Sequence, residues 1–199
     1  MSLIVGPSGL ITDYSMLAYG ALGSSVKGQS IGFSVNQITT SVTLADGQLR
    51  GIAVWVPQAA TITGVRWYQA TQGVYTADNN NKVGLYSYSG GTLTLVASST
   101  DDGNIWKAAS GTWGTKDFSA TYGASPGIYF VAMLYNSSAQ TTAPAIGSNS
   151  TIASTVIVAF DFTNSAKLNW SVNSQTNITT PLTISGLSGN TASHILFLY

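Results

Sequence analysis

The segment KVGLYSYSGGTLTLVAS, residues 82–98, constrains the fold more than any other part of the chain. Val83 and Leu85 alternate with Gly84 and Tyr86, and further on Leu93, Leu95 and Ala97 alternate with Thr92, Thr94 and Val96. Successive side chains of a strand point to opposite faces, so each run carries a set of apolar groups on one side. Between the runs, Ser89-Gly90-Gly91 supplies the positive φ that a tight hairpin needs. The other strands read as additions to this hairpin.

Upstream, Ile52, Val54 and Val56 alternate with Ala53 and Trp55 in a strand that stops at Pro57. Residues 59–69 form the next strand, with Ile62, Val65 and Trp67 as packing residues, and residues 72–81 form a polar loop. Downstream, residues 101–116 are a long loop leading into a strand over 116–120. In residues 128–135, Ile128, Phe130, Ala132 and Leu134 alternate with Tyr129, Val131, Met133 and Tyr135. A strand apolar on both faces belongs at the centre of a sheet. Residues 141–150 read as loop, 154–162 as a β-branched strand and 164–177 as an edge strand. The closing His194-Ile195-Leu196-Phe197-Leu198-Tyr199 is apolar to its last residue and is expected to pair inside a sheet, since a free apolar edge is an aggregation hazard. Eight to ten short strands with hardly any helix predict an all-β chain. Its expected form is an antiparallel two-sheet β-sandwich, jelly-roll-like, with an N-terminal arm. Residues 1–43 are assigned to the arm and 44–199 to the sandwich. Ile11, Met16, Leu17 and Tyr19 are the apolar residues of that arm, placed either in a leader or in a segment that docks on another subunit.

Of the 199 residues, 7% are charged, against roughly 25% in ordinary soluble domains. With 44% hydrophobic residues the chain can nonetheless bury a core, so it is not of the disordered class. Its surface is left to Ser, Thr, Asn, Gln and Gly, and it has little electrostatic protection against association. That suits a surface buried in an assembly, or life outside a cell. No basic patch exists to neutralise phosphates, which argues against nucleic-acid binding. No apolar run approaches the ~20 residues of a membrane-spanning helix, and residues 1–21 lack the pattern of a signal peptide. Without cysteine there is no disulfide and no thiolate metal site.

No residue pattern points to catalysis, a metal or a cofactor. His194 is the sole histidine, no nucleophile elbow accompanies it, and its place beside an apolar closing strand reads as structural. Asp101 and Asp102 raise glycoside hydrolysis or calcium binding, yet no second positioned carboxylate and no spaced Asp/Asn/Gly loop follows. Asp101, Asp102, Asn104, Trp106 and Trp113 together raise a sugar platform, with an indole stacked on a pyranose and polar groups on its hydroxyls. The same tryptophans serve equally as core or as anchors of a subunit interface.

From Leu44 to Leu134 the order of features resembles a family of β-sandwich domains in bacteriophage structural proteins: head and tail fibres, spikes and capsid decoration proteins. The matching stretches are GIAVWVP, ATITGVRWY, VGLYSYSGGTLTLVASS, TWGTKDFSA and SPGIYFVAML. The resemblance implies a non-enzymatic virion component, often a homotrimer, assembled in the host cytoplasm and carried on the extracellular particle. It further implies contacts with other virion proteins, and with a host-surface glycan where such a domain serves as a receptor-binding tip.

Overall fold

A computed structural model describes residues 25–31, 38, 40–149, 168–189 and 193–199. The described chain is an all-β antiparallel sandwich. Its strands are β1 (Gly28–Ser30), β2 (Thr40–Thr43), β3 (Gln48–Val56), β4 (Ala60–Thr71), β5 (Val74–Ala77), β6 (Lys82–Ser89), β7 (Thr92–Ser98) and β8 (Thr112–Ala124). They continue with β9 (Gly127–Tyr135), β10 (Ser137–Thr142), β11 (Ala145–Asn149), β12 (Asn169–Val172), β13 (Leu182–Thr183), β14 (Ser188–Gly189), β15 (Ser193–His194) and β16 (Leu196–Leu198).

The expected hairpin is β6–β7. Gly90 and Gly91 turn it at φ 55 and 83, the left-handed region that a two-residue hairpin loop requires. β9 pairs with β6 on one side and β3 on the other, so the strand apolar on both faces is central, as its sequence requires. The hydrogen-bonded path runs β13-β7-β6-β9-β3-β1-β16-β4-β11-β15. β12 also flanks β3, β8 flanks β4 and β2 flanks β11. The two layers of the sandwich are therefore not separate sheets: β1 and β16 join a front layer around β6, β9 and β3 to a back layer around β4, β8 and β11. β5 and β10 form a separate two-stranded ribbon.

Strand parity explains the core. Even positions of β3 (Ile52, Val54, Val56) and odd positions of β9 (Tyr129, Val131, Met133) face Ile62, Val65 and Trp67 of β4, Phe118 of β8, and Leu196 and Leu198 of β16. The opposite face of the front layer is buried too. Leu49, Ala53, Tyr86, Phe130, Ala132 and Leu134 lie under Leu168, Trp170, Ile178, Ile184 and Leu187 of the C-terminal segment. Each buried Leu, Ile or Phe of this cluster contributes about 1.5–3 kcal/mol, so the outer cluster is a large part of the fold's stability. Gly51 makes it fit: a Cβ there would stand 2.0 Å from Cε2 of Trp170.

Four expectations change. β1, three residues with no apolar alternation, lies between β3 and β16, so a boundary after residue 43 does not separate an arm from the sandwich. The predicted loops at 72–81 and 141–150 contain β5 and β11, and β10 runs from Ser137 into the second of them; β5 and β11 are too short to display a two-residue period, and β10 is almost wholly polar. A bulge between Leu85 and Tyr86 places one extra residue in β7. As a result Val96 and Ala97 both pack toward the central core, whereas Leu93 and Leu95 join the outer cluster. The strand predicted from residue 116 begins at Thr112. The arm residues Ile11, Met16, Leu17 and Tyr19 and the strand expected at 154–162 lie outside the described residues.

Candidate binding surface

The loop between β7 and β8 carries four of the five residues expected at a sugar platform, and its backbone explains what each is held for. Asp101 Oδ1 accepts the Asn81 N–H at 2.7 Å, and the Asp102 N–H donates to Asn81 O at 3.0 Å. Asp102 Oδ1 accepts the Asn104 N–H at 2.9 Å, an Asx turn that starts two consecutive turns closed by Ile105 N–H to Asp102 O and Lys107 N–H to Asn104 O. Oδ2 of Asp102 forms an ion pair with Lys116 Nζ at 2.7 Å. This bond to Lys116 holds the Asp102 carboxyl below its usual range. Both aspartates therefore fix the loop.

The turns drive Trp106 into the core. It is 0% exposed, its ring lies 5.0 Å from that of Trp67, and its Nε1–H donates to Leu134 O at 3.0 Å. Trp106 closes the end of the sandwich and presents no face to a ligand. Trp113, the first outward residue of β8, is 42% exposed. Its ring meets Tyr68 and Phe197, each at 5.5 Å, on the outer side of the back layer. Gly114 beside it leaves room for the Trp67 ring, 2.4 Å from where a Cβ would stand.

The structure thus brings Asp102, Asn104 and Trp113 to one open groove of about 430 Å³, with Lys107 and Thr115 on its walls, while Trp106 lies beneath it and Asp101 is turned to Asn81. A second groove of about 410 Å³ shares Asp102 and Thr115 and follows β8 past Asp117 to Ser119.

Around Trp113 lie groups that the sequence did not single out. Tyr199 OH donates to Asp117 Oδ1, the Tyr199 ring occupies the space above Gly64, and the Arg66 guanidinium lies 5.9 Å from that ring's centre. Burial first, then the bond to Asp117, pushes the Tyr199 phenol up, so it remains a neutral donor. Cross-strand register places Trp55, Gln29, Phe197, Arg66 and Thr115 in one row across β3, β1, β16, β4 and β8. Trp55 is 38% exposed at one end of the row, and Trp113 stands beside its other end. The signal available in the sequence was the parity of Trp55 and Trp113 on their strands, opposite to the inward Val54 and Gly114.

His194 is buried, and its Nδ1 makes no hydrogen bond. Burial, with the nearby Arg50 charge, lowers its pKa to about 3. Among the described residues no group of three or more His, Cys, Asp or Glu is placed to hold a metal ion. No described helix is long and apolar enough to cross a membrane. The chain matches no protein-family model, no curated protein and no solved structure in comparisons with each.

Proposed function

We propose that this chain is a structural, non-enzymatic protein of a bacteriophage particle, a head or tail fibre or capsid decoration subunit, working by assembly as a homotrimer. The observation that carries the assembly reading is a pair of exposed indoles, Trp55 at one end of the row and Trp113 beside the other, in a chain with 7% charged residues; Gln29 and Phe197 between them are buried within the chain. Exposed aromatics of this kind serve as anchors when a partner desolvates them. The assignment to a phage particle rests on the resemblance of residues 44–134, with the chain ahead of β1 as the attachment segment to other virion proteins. Light scattering after size exclusion tests the assembly. The expected mass is that of a trimer at every concentration, and a monomer throughout contradicts it.

A second reading is favoured by the groove at Trp113: adhesion to a host-surface glycan, with the indole stacked on a sugar ring and Asp102, Asn104 and Lys107 binding hydroxyls. A glycan array distinguishes it. Binding that disappears in Trp113→Ala and weakens in Asn104→Ala supports adhesion, and no binding by the wild-type chain removes it.

A further inference from the structure

The sandwich interior changes character where β12 replaces β1 alongside β3. Arg50 faces Ser171 across the β3–β12 ladder, and Ile52 faces Asn169. Ile52 and Val54 point into the central core, so Arg50, two residues earlier on the same strand, points to that side, and Asn169 and Ser171 point there with it. From the back layer, His194 has the parity of the core residues Leu196 and Leu198 and enters the same space. Ser148, its partner across the β11–β15 ladder, is fully buried and has its hydroxyl bonded to Thr40 at 2.9 Å.

Three side chains of this layer each hold one unsatisfied atom. Arg50 Nε, Asn169 Oδ1 and His194 Nδ1 are buried without a hydrogen-bond partner. Asn169 is 5% exposed and His194 1%. Among the described residues no carboxylate lies within ion-pair distance of Arg50. Buried polar groups are nearly always bonded, and an orphan of this kind points to an unseen partner. All three can donate: the guanidinium always, the amide after a half-turn that exchanges its oxygen and nitrogen, and the imidazole through one of its two neutral tautomers. Arg50 is the only charge of the group, because burial and the guanidinium itself keep His194 neutral. The layer therefore carries one positive charge, on a part-buried Arg50, and donors from three strands on the same side.

We propose that Arg50, Asn169 and His194 form a binding site for a small carboxylate monoanion between the two layers of the sandwich. The planar guanidinium fork matches two carboxylate oxygens, and one charge on each side leaves the interior neutral. This site is independent of the outer face and of the assembly it supports.

His194 is the chain's single histidine, so its imidazole signals are a direct probe. The full-length protein is titrated with sodium formate or acetate against sodium chloride at equal ionic strength, and the imidazole ¹H–¹⁵N correlations are followed by NMR. Formate and acetate are expected to move the His194 signals along a saturating curve, while chloride leaves them in place. Arg50→Lys, which keeps the charge but loses the fork, weakens saturation at least tenfold, and Arg50→Met abolishes it. No saturation in the wild-type chain, or the same curve with chloride, overturns the proposal. Should Arg50→Met not fold, the wild-type comparison of carboxylate with chloride still decides.

Discussion

Trp106 and Trp113 belong to one loop-to-strand passage and meet opposite fates. Trp106 is wedged against Trp67 with its N–H bonded to Leu134 O, whereas Trp113 leaves 42% of its surface in solvent and touches Tyr68 and Phe197 by their rings. The difference comes from backbone and not from chemistry. The Asx turn at Asp102 rolls the loop inward at Trp106, and the register of β8 against β4 then sends Trp113 outward as Gly114 passes inward. One indole is spent on closing the sandwich. The other is left for a partner.

The contrast is sharpest in stability. Trp106→Ala removes a fully buried ring and is expected to cost about 3–5 kcal/mol in denaturant unfolding. Trp113→Ala should cost under about 1 kcal/mol and instead remove assembly or glycan binding. Equal losses of stability would break the distinction. Gly114→Ala sharpens it from the other side. A Cβ 2.4 Å from the Trp67 ring forces Trp67 and its partner Trp106 to move, and the expected cost is about 1–3 kcal/mol or more, with a changed near-ultraviolet dichroism of the buried pair.

The smallest effect concerns the turn itself. The Asp102 carboxyl is lowered from 3.8 by its bond to Lys116. The unfolded chain then takes up the proton first as pH falls, so the stabilisation is fully present above that ordinary value and is lost below it, as pH drops through the lowered folded value. Because both side chains are partly solvated, Asp102→Asn should cost less than about 1 kcal/mol at neutral pH and flatten this part of the acid limb, read by urea unfolding at a series of pH values.

Much of the fold was legible because burial leaves a period in the sequence. The β6–β7 hairpin is written in Gly90-Gly91 and the flanking alternation, and β9 in eight consecutive residues apolar on both faces, from Ile128 to Tyr135. β1 is not legible: Gly-Gln-Ser is central only because β3 and β16 close around it, a tertiary fact. β10 is almost wholly polar and β5 is four residues long with one core residue, Tyr75, so neither shows a readable period. At the candidate site the residue types were readable, since Asp102, Asn104 and Trp113 do share a groove. Which tryptophan faced outward was not, because the strand was expected to begin at residue 116, and the parity of Trp113 can be read only once β8 is known to begin at Thr112. The Arg66, Tyr199 and Asp117 group was hidden because its members are far apart in the chain and joined only by register.

The most direct test is hydroxyl-radical footprinting of the assembled protein and of its dissociated subunit, read residue by residue by mass spectrometry. If the outer face is the assembly surface, oxidation of Trp55 and Trp113 falls on assembly while Trp106 stays protected in both states. Trp55 and Trp113 oxidised to the same extent in both states would contradict that account.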